Sequence, residues 1–248
     1  MTDTSKLFSD KSDIYARARP TYPDKLFNYI KELIQHHNAV WDCATGNGQA
    51  ALGLSKVFKR VYATDISDAQ IEHHLKIPAV EFSVCPAEKT DFADNSFDLV
   101  NVAQALHWFD FERFWPEVKR VLKPGGAFIT YSYGWFEISP EIDALVQSEI
   151  MDVISPYWAP NNLLAINGYR DVAFPFKKLD VPDSPILLSW TFMQMMDYLH
   201  TWSATRRCMD ALGDRFFYDA SEKIALTWGD VDERREIIMP MVIVAGYP

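Results

Sequence analysis

Between residues 39 and 133 the chain alternates short β-rich runs with helical ones, and this rhythm constrains its fold more than any other feature. Val40-Trp41-Asp42-Cys43 reads as a first strand, followed by a glycine-containing turn and a helix from about Gln49 to Phe58. Arg60 to Thr64 reads as the second strand, Val80 to Val84 as the third, Phe97 to Val102 as the fourth and Ala127 to Tyr133 as the fifth. Upstream, Thr21-Tyr22-Pro23-Asp24 opens a helix with Leu26, Phe27, Ile30 and Ile34 on one face. Ser67 with Gln70 is a capping-box signature, and Asp110 fits the N-cap of a helix through Leu122 that Pro124-Gly125-Gly126 ends. Strands and helices alternating through short loops imply a parallel, right-handed, doubly wound α/β sheet.

After Gly134 the rhythm breaks, and aromatic residues and prolines dominate through Phe176. Strand-like pieces return around Lys178 to Val181 and at Ile237 to Ala245, which brings the expected sheet to seven mostly parallel strands with helices on both faces. Thr191 with Gln194 starts an amphipathic helix, and Asp219 or Ser221 starts another that Gly229 ends. The expected organisation is a single domain over 1–248. Residues 1–23 form an N-terminal covering segment, 24–133 the ligand-binding core, 134–176 a lid inserted after strand five, and 177–248 the C-terminal strands and helices.

Composition narrows the partners. The 248 residues are 48% hydrophobic, with 16 Phe, 11 Tyr and 8 Trp, enough for a substantial core. The net charge is −10 and Lys and Arg do not cluster, which argues against nucleic acid as a partner. Cys43, Cys85 and Cys208 are odd in number and lack metal-ligand spacing, as reduced cytoplasmic thiols would. The pairs His36-His37 and His73-His74 sit on helices where adjacent side chains diverge, so no metal site is expected. Met1 to Asp13 lacks a signal-peptide core, and the apolar stretch near Met239 to Tyr247 is too short to span a bilayer. A soluble monomer or homodimer acting on a small molecule is expected, with no membrane association.

The chemistry concentrates where strand one meets its helix. Gly46 and Gly48 permit a tight turn that a ligand can approach closely, and Asp65 closes strand two where a carboxylate can accept from both hydroxyls of an adenosine ribose. Gly46-x-Gly48-x-x-Ala51 also satisfies the relaxed fingerprint of nicotinamide and flavin enzymes. Asp42 tips the balance, because a carboxylate beside the turn repels a pyrophosphate and suits a ligand carrying a cationic amino group and a sulfonium. An Asp in strand one can also cap the loop amides.

At this point the chain resembles the class I S-adenosylmethionine-dependent methyltransferases of the small-molecule branch, and within them the trans-aconitate methyltransferase group. The resembling segments run in order through the chain. They are Tyr15 to Pro23, Asp42-x-x-x-Gly46-x-Gly48, Asp65, Pro86-Ala87-Glu88, Asn95 to Asp98, Ala105 to Phe109, Leu122 to Gly126 and Thr201-Trp202-Ser203. The resemblance implies a Rossmann-like fold and S-adenosylmethionine as cofactor. Tyr15 to Pro23 would fold over it, Asp65 would bind the ribose, Ile66 would pack on the adenine, and the backbone around Ala87 would meet the adenine edge. Ala44 would lie in the turn beneath the cofactor, and Gln104 near its methionine part.

Pro86 departs from the pattern, since a polar residue often stands there, and Glu88 either takes over its contact or packs the loop. Arg19 pairs with the methionine carboxylate or an acidic substrate, or is a surface residue. His107 and Trp108 follow strand four and are the expected catalytic residues, near the transferring methyl. His107 serves as general base for a hydroxyl or amine, as hydrogen-bond donor to a carboxylate, or as a satisfied core histidine. Arg206-Arg207 reads as a solvated helix face. The expected reaction is methyl transfer to a small molecule, with a carboxylic acid as acceptor. The alternatives are an NAD-dependent oxidoreductase and an inactive methyltransferase-like binding module.

Overall fold

The computed structural model describes residues 20–248. Helix α1 (Asp24–Leu33) precedes strand β1 (Ala39–Cys43), and then come α2 (Gln49–Leu54), β2 (Arg60–Asp65), α3 (Asp68–Glu72) and β3 (Val80–Val84). Strand β4 (Phe97–Ala103), α4 (Phe111–Val121) and β5 (Leu122–Tyr133) complete the first half. The second half holds α5 (Pro140–Val146), α6 (Asn162–Ile166), β6 (Ile186–Trp190), α7 (Phe192–His200), α8 (Ser203–Leu212), α9 (Arg215–Trp228), β7 (Arg235–Met239) and β8 (Met241–Gly246).

The main sheet has six strands in the order β3-β2-β1-β4-β5-β8, parallel except for β8, which runs antiparallel to β5. Successive side chains point to opposite faces. Val40 therefore joins Leu26, Ile30 and Leu54 on one side, while Trp41 joins Phe114, Val118 and Phe128 on the other. Both faces of the central strands are covered, as a parallel sheet requires, while the edge strand β3 is partly exposed. Asp98 fixes the bottom edge: it accepts the amides of Asn38 and Ala39 at 2.8 and 2.9 Å, and Lys123 Nζ lies 2.8 Å from its other oxygen.

Six strands stand where seven were expected. Lys178 makes only an isolated antiparallel bridge to Gly246, and Leu179 donates its amide to Ala245. Pro175 and Pro182 bracket this run and provide no amides for a longer ladder. The run expected as one strand over Ile237 to Ala245 is two, divided at Pro240. Strand β7 pairs with β6 in a separate two-stranded sheet, and β8 joins the main one. The last long helix starts at Arg215 and not at Asp219 or Ser221, and it ends at Gly229 with φ 84°.

A third apolar cluster lies apart from the two sheet faces. It draws Phe136, Ile150 and Ile154 from one stretch of chain and Trp190, Met195, Trp202 and Trp228 from another. Tyr133, at the end of β5, packs against it and joins this layer to the sheet.

Candidate active site

The turn after β1 is held in left-handed backbone, with φ 54° at Ala44, 59° at Gly46 and 97° at Gly48. A Cβ at Gly48 would come within 2.8 Å of the Phe82 ring, so this position requires glycine for space as well as for φ. Thr45 donates its amide to the Thr64 carbonyl at 2.9 Å, which ties the turn to β2. Gln104, just past β4, is also left-handed at φ 57°, with its amide bonded to the Tyr131 carbonyl. Left-handed backbone at a non-glycine residue costs energy and concentrates at functional sites. Ala44 and Gln104 both face the same cavity.

That cavity, about 220 Å³, lies beyond the carboxyl ends of the parallel strands, where ligands bind in doubly wound sheets. Ala44, Gly46, Asp65, Ile66, Ala87, Glu88, Gln104 and Trp108 line it. Asp65 Oδ2 accepts the Gly46 amide and Oδ1 the Ser67 amide, both at 2.9 Å. Burial pushes the Asp65 carboxyl up from its ordinary range, and the backbone amides pull it back in part. A carboxylate has roughly four acceptor positions, so these amides leave acceptor capacity for a ligand. Ile66 is 63% exposed, an aliphatic side chain left uncovered at the cavity wall. Glu88 accepts the Asp110 amide at 3.1 Å and thereby anchors the cavity wall to the start of α4.

Other expected site residues lie elsewhere. Asp42 and Gly48 are behind the wall and not on it. Asp42 has no exposed surface, and its carboxylate accepts from Thr45 Oγ1 at 2.5 Å and Asn101 Nδ2 at 2.7 Å. Burial raises its pKa to about 6 against the pull of these two donors. Tyr15 and Arg19 fall outside the described residues.

His107 faces a second cavity of about 190 Å³, which shares Gln104, Trp108 and Tyr133 with the first. The His107 ring is buried, with Nδ1 3.4 Å from the Tyr169 hydroxyl and Nε2 3.4 Å from the Asn162 amide nitrogen. Burial lowers its pKa to about 4, so the ring is neutral at pH 7. Arg206 and Arg207 also line this cavity, where a solvated helix face was expected. Trp202, immediately before α8, is buried in the third cluster, and it lines the cavity together with Ser203, Arg206 and Arg207 of that helix. Among the described residues, no group of three or more His, Cys, Asp or Glu is placed to hold a metal, and no helix is long and apolar enough to cross a membrane.

Sequence reasoning missed Asn47, Gln70 and Tyr133 on the first cavity, whereas Tyr22, within the segment expected to cover the cofactor, lines it. Asn47 stands within the glycine turn, a signal that could have found it. Tyr133, at the end of strand five, meets the site only through the β4–β5 pairing.

Known proteins place the chain in a family. A family model described as a methyltransferase domain matches residues 41–130, which spans β1 to β5. A Dictyostelium discoideum protein named "putative methyltransferase" is 34% identical over 208 residues, 81% of this chain and 79% of that one. A Saccharomyces cerevisiae protein named "probable S-adenosylmethionine-dependent methyltransferase" is 30% identical over 140 residues, 51% of this chain and 45% of its own. The chain likewise spans about half the length of several mycobacterial methyltransferase relatives. A solved structure from Anaeromyxobacter dehalogenans, described as a "putative type II methyltransferase", superposes with a TM-score of 0.87 at 36% identity, covering 92% of this chain and 97% of that one. The oxidoreductase alternative falls with these matches. The chain belongs to the class I S-adenosylmethionine-dependent methyltransferases.

Proposed function

We propose that the enzyme methylates a carboxylate oxygen of a small organic acid, with S-adenosylmethionine in the first cavity and the acid in the second. The observation that carries this reading is the wall common to the two cavities, Gln104, Trp108 and Tyr133, with Arg206 and Arg207 on the far side of it. The resemblance to the trans-aconitate methyltransferase group also supports an acid.

The residues of the first cavity suit the cofactor. Asp65 has acceptor positions for ribose hydroxyls, Ile66 offers an aliphatic face to a flat base, and bare Gly46 permits close approach. Ala87 and Glu88 would meet the adenine edge, and Gln104 the methionine part. Asp42 acts from behind by fixing Thr45 and Asn101, and Tyr15 and Arg19 would cover the site. Residues 134–176 supply Trp135, Trp158 and Asn162 to the second cavity, which supports their reading as a lid over the acceptor.

The cofactor supplies an electrophilic methyl carbon on a positively charged sulfur. An ionised acid forms the oxygen–carbon bond as the carbon–sulfur bond breaks, the bonding pair returning to sulfur, and it gives up no proton. A neutral His107 is therefore sufficient as a positioning group beside Trp108. The protein's work is alignment and exclusion of water, worth about 7–11 kcal/mol when the reacting atoms are held in line. A screen of small carboxylic acids, phenols and amines with methyl-labelled S-adenosylmethionine tests the reading. Label should enter acids, and transfer confined to phenols or amines would overturn it.

A further inference from the structure

Resting on the reading of the second cavity as the acceptor site, we infer that its acid is a monocarboxylate with a flat, apolar body, an aryl-substituted acid and not a compact polycarboxylate. Trp135, Trp158 and Trp202 form a triangle on the wall, with ring centroids 5.8, 5.1 and 6.0 Å apart. Tyr198 meets Trp202 edge-on at 5.5 Å and lines the same space. These rings come from three separate parts of the chain, after β5, before α6 and around the start of α8. Trp202 is buried, whereas Trp135 is 38% exposed and retains ring surface for a ligand.

Two cations line the cavity, and one of them is tied into its wall. Arg207 donates to the Tyr157 carbonyl at 3.1 Å, next to Trp158, and so is partly committed to holding the wall. The Arg206 side chain makes no hydrogen bond or ion pair among the described residues, although it lines the cavity. No Asp or Glu lines it among the described residues, and the positive charges of Arg206 and Arg207 oppose an ammonium acceptor. Aromatic faces carry partial negative charge. They favour a flat apolar body and disfavour the second and third carboxylates of a compact polyacid, for which Arg206 is the less committed of the two cations.

The test uses the protein loaded with S-adenosylhomocysteine, titrated by calorimetry with 3-phenylpropanoate, 3-phenylpropanamide and propane-1,2,3-tricarboxylate. The aryl acid should bind about tenfold or more tightly than either of the others, the scale of one charged hydrogen-bonded pair. Arg206→Met should erase the preference for acid over amide while leaving amide affinity unchanged, and Trp135→Leu should weaken both aryl ligands but not the tricarboxylate. Tighter binding of the tricarboxylate would overturn the aryl class and leave an acid acceptor standing. Equal binding of acid and amide would overturn the carboxylate reading itself, and binding of none of the three would overturn the inference.

Discussion

Asn101, on β4, donates its side-chain amide to the Asp42 carboxylate on β1 across 2.7 Å, at a depth where neither residue has exposed surface. The two are direct partners in the β1–β4 register. Burial lifts the Asp42 pKa to about 6, above an unfolded value near 3.9. The folded state thus holds this proton more tightly. The stability it contributes is complete below about pH 4 and lost as pH rises through about 6. Asp42→Asn should remove that dependence, so the difference in melting temperature, variant minus parent, should move in the variant's favour from pH 4 to 6. Asp42→Ala leaves the Asn101 and Thr45 donors buried without an acceptor and should cost about 1–3 kcal/mol for each in denaturant unfolding. A fully stable alanine variant would contradict this account of the loop.

His107 has the opposite sign. Its pKa is lowered by burial to about 4, below an ordinary value of 6.5, so stability is present above about pH 6.5 and lost as pH falls through about 4. His107→Gln should flatten the acid side of the stability profile. With a carboxylic acid as acceptor, the same variant should keep its rate to within about tenfold, because no proton has to be removed. Removing a general base would lower the rate by about 10²–10⁴. Steady-state kinetics on the identified acid separates the outcomes, and a loss on that larger scale with KM unchanged would contradict proton-free transfer.

The first five strands were legible because each is a short β-rich run, apolar in β1 and β4 and alternating in β3, bounded by turn residues, and because the glycine turn and Asp65 mark the ends of β1 and β2. Strand β6 was not, since Ile186–Trp190 follows two prolines and exposes Leu187, which blurs its alternation. Helix α8 was legible only as a helix face at Arg206-Arg207, without bounds, because its buried face is made of Ala204, Thr205 and Cys208, small residues that leave little apolar signal. The Asp42–Asn101 pair depends on strand register between segments 59 residues apart, and no local pattern encodes it. Arg206 and Arg207 line the second cavity beside Trp202, which also belongs to the third cluster, a tertiary arrangement invisible to helical periodicity.

Asp65 holds the glycine turn as well as facing the cavity. Asp65→Ala removes the acceptor of the Gly46 and Ser67 amides together with any ribose contact. Charged hydrogen bonds contribute roughly 1.5–3 kcal/mol each, so S-adenosylhomocysteine affinity should fall at least about tenfold in a protein that still folds. Titration calorimetry checks this. Unchanged affinity in a folded variant would remove Asp65 from the cofactor site.

The acceptor atom is the central claim, and the stability of the product to alkali tests it most directly. Enzyme, methyl-labelled S-adenosylmethionine and an aryl monocarboxylate should yield a labelled product that releases its label as methanol on mild alkaline hydrolysis, as a methyl ester does. Label that stays on the product through alkali, as in a methyl ether or a methylated amine, would contradict carboxylate methylation.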